Sequence, residues 1–265
     1  MIEALKIDPG RQVARIVGFI ADKLADAGYS RAVLGMSGGI DSALVAALCA
    51  QALGPENVHG MILPYATSNP SSEAHAKLVI EQLGIESSRF EITPMVAPLV
   101  EQDPEMGGRR MGNIMARCRM IVLYDRSEAF RGLVMGTSNR TETLLGYFTL
   151  FGDSAAALKP IEHLYKYQVR SLSRFLGIPD EIVNKAPSAD LWEGQTDEDD
   201  LGFSYDLADQ ILYLITEMEL SEEQVADQGF DPDVVARVNR CMQSSAFKRH
   251  APLSLSPVGK PVQTI

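Results

Sequence analysis

The chain has 265 residues, of which 46% are hydrophobic and 22% charged. This length and hydrophobic content are sufficient for one large buried core. This length favours a single α/β domain over residues 1–265. The 24 basic and 35 acidic residues give a net charge of -11, which argues against a nucleic-acid surface because neutralising backbone phosphates requires clustered Lys and Arg.

The first half of the chain alternates segments of helical and strand composition. In chain order, the apolar spacing predicts a helix over 11–28, a strand over 32–36, a helix over 40–53, a strand over 58–63, a helix over 71–83, a strand over 89–93, a helix over 113–130 and a strand over 133–137. This alternation predicts a doubly wound parallel sheet flanked by helices, with right-handed crossovers. Ligands of such sheets bind beyond the carboxyl ends of the strands.

Beyond Gly152 the chain is mainly helical. Helices are predicted over 166–176, 178–184, 205–218, 221–228 and 231–243. Residues 185–203 contain a proline, two glycines and six acidic residues, and we expect them to form a mobile lid loop. Its Trp192, the only tryptophan of the chain, could stack on a bound ligand or could pack the closed loop down.

Cysteine usage and the first residues indicate a cytoplasmic protein. The three cysteines (Cys49, Cys118 and Cys241) have no metal-binding spacing and form no even set for disulfides, as expected in a reducing compartment. The first residues lack the basic start and apolar core of a signal peptide, and no uncharged stretch is long enough to cross a membrane. We therefore expect no membrane partner.

The most informative segment reads Gly-Met-Ser-Gly-Gly-Ile-Asp-Ser at residues 35–42, between a predicted strand and a predicted helix. Its glycines allow positive φ, and its N–H groups and the helix start favour an anion. The spacing is not that of a Walker A loop. A tight βα turn capped by serines is the alternative interpretation. The serine hydroxyls and Asp41 suit phosphate and a divalent cation, and the loop resembles the pyrophosphate loop of ATP pyrophosphatases, which adenylate a substrate.

A second informative segment covers residues 136–149, where Thr137 ends a predicted strand and Glu142 lies in the following helix. The Glu142 carboxylate could face the glycine loop and share Mg²⁺ with Asp41, since Mg²⁺ commonly takes one or two carboxylates together with substrate phosphates. The alternative is that Glu142 is an acid in the first helical turn, favoured there by the helix dipole.

The glycine loop and further blocks at 112–120, 136–153, 164–166 and 187–198 resemble the NAD synthetase family, in the family's order, over roughly residues 10–250. The resemblance implies an adenine nucleotide alpha hydrolase-like fold. It implies that deamido-NAD, ATP and ammonia react to give NAD, AMP and pyrophosphate through an acyl-adenylate. It also implies Mg²⁺ and a homodimer with the dinucleotide at the interface.

The resemblance also implies roles for individual residues. ATP would be contacted by Gly35, Met36, Ser37, Gly38, Gly39, Ile40, Asp41, Ser42, Thr137, Lys166 and Ser188. Asp41 and Glu142 would hold Mg²⁺, and Arg117 and Lys248 would contact deamido-NAD. Lys166 would offset charge on the departing pyrophosphate, although a solvated lysine at a helix start is the alternative. Asp153 is a candidate for orienting or deprotonating ammonium.

Three positions depart from the family pattern: Leu150 stands where lysine is usual, Ala157 where aspartate is usual, and Phe247 where histidine is usual. In the family, the lysine and the aspartate at the positions of Leu150 and Ala157 touch the dinucleotide. Their absence leaves amidation of nicotinate mononucleotide open as an alternative activity. An ATP-binding module without turnover is a further alternative. An RNA-thiolating or lysidine-forming enzyme is disfavoured by the charge and the scattered cysteines. The length leaves no room for an amidase domain, so we expect free ammonia or a partner chain as the nitrogen source.

Overall fold

The computed structural model of the protein describes residues 3–188 and 196–250. Within these residues, four parallel strands form one sheet in the order β3-β2-β1-β4. The strands are β1 (Ala32–Gly35), β2 (Val58–Ile62), β3 (Glu86–Arg89) and β4 (Leu133–Val134). Ala32 of β1 is in register with Val58 on one side and Leu133 on the other, so the chain order reverses on either side of β1. Such a reversal is the usual place for a ligand.

The described part of the chain forms twelve α-helices, numbered in chain order. They are α1 (Pro9–Asp26), α2 (Ile40–Leu53), α3 (Pro70–Leu83), α4 (Thr93–Glu101), α5 (Gly108–Phe130), α6 (Arg140–Leu145), α7 (Lys166–Phe175), α8 (Asp180–Val183), α9 (Asp197–Leu201), α10 (Tyr205–Thr216), α11 (Glu222–Ala226) and α12 (Pro232–Ser244). Short 3₁₀ turns cover Glu3–Leu5, Pro55–Asn57 and Ala246–Arg249. No helix in the described ranges has both the length and the apolar character needed to cross a bilayer.

Helices cover both faces of the sheet, as a doubly wound fold requires. In β1, Ala32 and Leu34 pack in a core with α1, α2, α3 and α7, whereas Val33 packs in a separate core with α4 and α5. All three side chains are fully buried. Successive residues of a strand point to opposite faces, so an uninterrupted apolar run suits a strand covered on both sides.

A third core is formed mainly by helices and confirms the helical C-terminal part. It joins α6, α9, α10, α11 and α12 through buried side chains that include Ile211, Leu212, Val235 and Val238. Helix α7 lies between this core and the sheet, because its Val169 and Leu172 pack in the core that contains β1. The first residue of α7 therefore lies where the α/β part and the helical part meet.

The predicted third strand is misplaced. The structure has β3 at Glu86–Arg89 and begins α4 at Thr93, whereas the sequence pattern predicted a strand over 89–93. Strand β3 is an exposed edge strand of polar residues, so it has no apolar alternation to mark it. The backbone N–H of Phe90 still donates to Ile62 at 2.9 Å, and the apolar residues after Arg89 therefore prolong the chain beside β2 without forming ladder pairs.

The predicted lid also contains regular structure. Part of residues 185–203 is helix α9, whose first turn is capped by Thr196: its Oγ1 accepts a hydrogen bond from the Asp199 N–H at 3.1 Å. Residues 189–195, with Trp192, lie outside the described residues. Movement of this segment as a lid stays a prediction.

Candidate active site

The glycine loop connects β1 to α2, and its backbone requires glycine at Gly38. That residue has φ of +75°, and a Cβ atom there would lie 2.0 Å from the carbonyl oxygen of Ser72. Gly39 is the N-cap of α2 and brings no side chain to bond the free N–H groups of the first turn. These N–H groups and the helix dipole form a site for an anion at the carboxyl end of β1.

Two serine hydroxyls lie within the same loop. Ser37 Oγ and Ser42 Oγ are 3.1 Å apart, and the Ser42 hydroxyl donates to the carbonyl of Gly39 at 2.9 Å. Ser37 is exposed, so its hydroxyl can reach a ligand. Met36 and Ile40 are buried in the core, so only their backbone groups can face a phosphate.

The structure brings together Asp41, Glu142 and Lys166, which come from three helices. The Lys166 ammonium donates to Asp41 Oδ2 at 2.6 Å and to Glu142 Oε1 at 2.9 Å. The Lys166 side chain is 3% exposed, whereas those of Asp41 and Glu142 are each 17% exposed. The ammonium therefore lies on the inner side of the cluster, and the two carboxylates reach outward past it.

Burial and charge act against each other in this cluster. Burial raises the pKa of Glu142 to about 7, with the neighbouring Asp41 carboxylate adding to the rise and the Lys166 ammonium opposing it. Burial lowers the pKa of Lys166, but the two carboxylates outweigh that effect and the net shift of its pKa is upward. Lys166 is therefore held as the ammonium ion at neutral pH. Removing one partner of such a buried pair leaves an uncompensated charge.

Asn139 links the Asp41 carboxylate to the backbone of Glu142. It is fully buried, and its Nδ2 donates to Asp41 Oδ1 at 2.9 Å. Its Oδ1 accepts the Glu142 N–H at 3.0 Å, which caps the start of α6. Asn139 lies within the block 136–153 that resembles the NAD synthetase family, but no role was predicted for it from the sequence. Its position directly before a short helix indicates a cap and not a contact with Asp41.

Helix α10 lies against the inner side of the cluster. The ring centroid of Tyr205 is 5.0 Å from Lys166 Nζ, and the Tyr205 hydroxyl donates to Asp197 Oδ2 of α9 at 2.9 Å. An aromatic face at this distance attracts a cation. No spacing in the sequence signalled these residues, because their approach depends on how the third core packs against α7.

Thr137 and Ser188 are the two other residues predicted to contact ATP, and the elements around the glycine loop show where they lie. Thr137 follows β4, which pairs with β1, so it lies at the same edge of the sheet as the glycine loop. The Lys185 ammonium donates to Ser72 Oγ at 3.1 Å. The carbonyl oxygen of the same Ser72 is the atom nearest to a Cβ added at Gly38, so Lys185 lies close to the glycine loop. The segment that leads to the exposed Ser188 therefore starts beside the loop.

The residues assigned to deamido-NAD contact the turn after α6. Arg117 Nη2 donates to the carbonyl of Leu150 at 3.2 Å. Lys248 Nζ donates to the carbonyls of Gly146 and Phe148 at 2.8 and 2.9 Å, and burial lowers the pKa of this lysine. Asp153 is exposed, and its Oδ1 accepts the Thr149 N–H at 2.8 Å. These side chains order residues 146–153.

The carboxylate pair has the donors that Mg²⁺ prefers. Asp41 and Glu142 present oxygen atoms outward while Lys166 lies beneath them, and Mg²⁺ is commonly held by one or two carboxylates with substrate phosphates. Over residues 3–188 and 196–250 no three His, Cys, Asp or Glu side chains are grouped as a metal site. The pair fits a cation that receives its other ligands from a bound phosphate and water.

Comparison with known proteins identifies relatives over nearly the whole chain. The NAD synthase family matches residues 12–252. The NH(3)-dependent NAD(+) synthetase of Trichlorobacter lovleyi is 50% identical over 247 residues, which are 93% of this chain and 90% of that protein. Among solved structures, the NMN synthetase from Francisella tularensis is 32% identical with a TM-score of 0.84, covering 94% of this chain and 99% of its own. The NH3-dependent NAD synthetase from Campylobacter jejuni is 33% identical with a TM-score of 0.80, and the match covers 94% of this chain and 100% of that one.

Proposed function

The chain belongs to the NAD synthase family, and we infer from this membership that it catalyses ammonia-dependent synthesis of NAD with ATP as a co-substrate. We propose that deamido-NAD is the carboxylate substrate and that the reaction passes through an acyl-adenylate. The observation that carries this proposal is the buried Lys166 ammonium between Asp41 and Glu142, next to the uncapped start of α2. This arrangement suits a reaction whose leaving group is a polyphosphate.

The chemistry requires activation before ammonia can react, because a carboxylate is a poor acyl electrophile. A carboxylate oxygen of the nicotinate attacks the α-phosphorus of ATP, the bond from that phosphorus to the bridging oxygen breaks, and pyrophosphate departs. Ammonia then attacks the acyl carbon, loses a proton, and AMP departs as the amide forms. No covalent protein nucleophile is needed, so the protein acts by alignment and charge.

Each part of the cluster has a proposed task in the first step. The N–H groups of the glycine loop and the exposed hydroxyl of Ser37 bind the β- and γ-phosphates, and the buried Ser42 hydroxyl lies 3.1 Å from that of Ser37. Lys166 stabilises the negative charge that grows on the departing pyrophosphate. Mg²⁺ would be held by Asp41 and Glu142 and would supply further neutralisation of phosphate charge. Asn139 keeps Asp41 and the start of α6 together.

The second substrate site is proposed around residues 146–153, where Arg117 and Lys248 order the turn. Arg117 is exposed and its guanidinium has donors to spare, which suits a substrate phosphate. Asp153 is proposed to orient or deprotonate ammonium. We also propose a cytoplasmic location, because the free cysteines Cys49, Cys118 and Cys241 suit a reducing compartment.

Nicotinate mononucleotide is the second candidate substrate. The similarity to the Francisella tularensis NMN synthetase favours it, as do the apolar residues Leu150 and Ala157 where the family usually has charged residues. Without these charges, the site beside Arg117 has fewer partners for the second half of a dinucleotide.

The test measures pyrophosphate release from ATP with ammonium and either deamido-NAD or nicotinate mononucleotide. We expect the larger kcat/KM with deamido-NAD, together with NAD and AMP in equal amounts. A larger kcat/KM with the mononucleotide would overturn the substrate assignment and leave the adenylation chemistry in place. No pyrophosphate with either compound would favour an ATP-binding module without turnover.

A further inference from the structure

A fully buried aspartate, Asp209, lies behind the active-site cluster on α10. Its Oδ1 accepts the Thr141 hydroxyl at 2.5 Å, and its Oδ2 accepts the backbone N–H of Tyr167 at 2.7 Å. Charged carboxylates are rarely fully buried, because their desolvation is costly unless their oxygens accept hydrogen bonds. Asp209 has that bonding, and both of its partners adjoin residues of the active site.

Thr141 continues the same network. It is fully buried, and while its hydroxyl donates to Asp209 it accepts the backbone N–H of Lys166 at 3.0 Å. Thr141 and Asp209 therefore bond the N–H groups of Lys166 and Tyr167, the first two residues of α7. Such N–H groups have no partner within their own helix, so an external acceptor decides where the helix begins.

The network joins two of the three helices that supply the cluster, α6 and α7. Thr141 precedes Glu142 in α6, and Lys166 is the first residue of α7. The Lys166 ammonium must reach Asp41 at 2.6 Å and Glu142 at 2.9 Å at once. A small displacement of the start of α7 relative to α6 would break one of these bonds, so the position of the backbone here controls the position of the charge.

We propose that Asp209 and Thr141 form a latch that positions Lys166 for the reaction. Neither residue touches substrate: both act through Lys166, as positioning residues, by fixing the first turn of α7 against α6. This inference rests on the proposed function of Lys166 at the departing pyrophosphate. It assigns to α10 a part in the reaction that no motif of the sequence indicates.

The test compares T141V, which has the shape of threonine without its hydroxyl, with T141S, which keeps the hydroxyl. We expect T141V to lower kcat for pyrophosphate release ~100-fold, with KM for ATP changed by less than ~3-fold, since misplacing a catalytic group by about 1 Å costs that much. T141S should stay within ~3-fold of the wild type. Hydrogen exchange at the amides of Lys166 and Tyr167 should speed up in T141V and not in T141S.

Controls separate positioning from general stability. I211V removes a buried methyl group from the same helix, α10, without touching the latch, and should keep kcat when assayed well below its melting temperature. If T141V does not fold, D209N takes its place, because an amide cannot accept at both positions. A loss of kcat that follows the melting temperature across T141V, D209N and I211V would overturn the latch.

A double-mutant cycle shows whether the latch acts through Lys166. In the K166M background, T141V should cause no further loss of kcat, because the group that it positions is already absent. A further loss would overturn the proposal. If K166M is inactive and T141V is fully active, the latch alone is wrong. If K166M itself keeps normal turnover, the proposed function of Lys166 is wrong and the latch fails with it.

Discussion

The charge of Lys166 is the residue-scale feature on which the active site depends. Its side chain is 3% exposed and its ammonium is bonded to two carboxylates, so the charges of the cluster balance only while all three groups are present. This gives Lys166 a role that a solvated lysine at a helix start could not have. The interpretation of Lys166 and Glu142 as ordinary first-turn residues does not account for their shared, buried hydrogen bonds.

We expect K166M to lower kcat for pyrophosphate release by at least ~100-fold, because it removes the positive charge that the departing pyrophosphate requires. The matched control is K23M, which removes an exposed lysine paired with Asp26 on α1 and should leave kcat unchanged. Steady-state kinetics with saturating ATP and ammonium check both. Equal kcat for K166M and K23M would contradict the proposed role.

The second residue-scale prediction concerns the stability of the fold against pH. Burial raises the pKa of Asp209 to about 6, while its bonds from Thr141 and the start of α7 oppose that rise and Asp206 adds to it. Between the ordinary pKa of an aspartate, about 4, and this value, the folded chain binds more protons than the unfolded chain. The contribution of Asp209 to the free energy of unfolding therefore decreases as the pH rises through this window.

The D209N variant isolates this contribution, since an asparagine does not titrate. From pH 5 to pH 7.5, the wild type should lose about 1 kcal/mol of unfolding free energy relative to D209N. Urea unfolding at the two pH values measures the difference. A difference that is constant with pH, or that grows in favour of the wild type, would show that burial does not control this carboxyl group.

At the scale of elements, the turn between β1 and α2 explains why the glycine loop is recognisable in a sequence. Gly38 adopts a positive φ and lies against the carbonyl of Ser72, so the segment accepts few other residues. Local constraints of this kind leave a readable pattern. The elements of the α/β core were predictable for the same reason, because strands buried on both faces and amphipathic helices have distinctive apolar spacing.

We expect G38A to disrupt the loop, because the added Cβ would lie 2.0 Å from a backbone oxygen that cannot move away without shifting α3. KM for ATP should rise at least ~10-fold, since the loop N–H groups would no longer converge on a phosphate. The control is G84A, which also has a positive φ but no atom within 4 Å of the added Cβ. It should cost about 1 kcal/mol of stability with KM unchanged.

Other elements could not be predicted because their signals come from packing. Strand β3 is polar and exposed at the sheet edge, so nothing in its residues distinguishes it from a loop. Asn139 looks like a helix cap, and its contact with Asp41 appears only when β4 is placed beside β1. Asp209 reaches the backbone of Tyr167, and Tyr205 reaches the Lys166 ammonium, because the helical core packs on α7. These contacts join residues far apart in the chain.

At the scale of the whole molecule, helix α5 carries both a proposed substrate contact and an exposed apolar face. Ile121 is 54% and Tyr124 41% exposed, and large apolar side chains in this state commonly mark a contact with another chain. Arg117 lies one turn before Ile121, so all three residues share one side of the helix. We propose that a second copy of the chain covers this face, which would place the dinucleotide site beside the dimer interface.

Placing a charge on this face should therefore separate the subunits and weaken dinucleotide binding together. I121E should convert the proposed dimer to a monomer, because burying an unpaired carboxylate costs several kcal/mol. KM for deamido-NAD should then rise more than KM for ATP. The proposed dinucleotide contact Arg117 lies on the interface helix α5, whereas the glycine loop proposed to bind ATP does not depend on the second subunit. Sedimentation velocity and steady-state kinetics measure the two effects.

F175E, on an exposed apolar residue at the end of α7, is the matched control and should stay dimeric. A wild-type monomer would contradict the dimer, and a dimeric I121E would place the interface elsewhere.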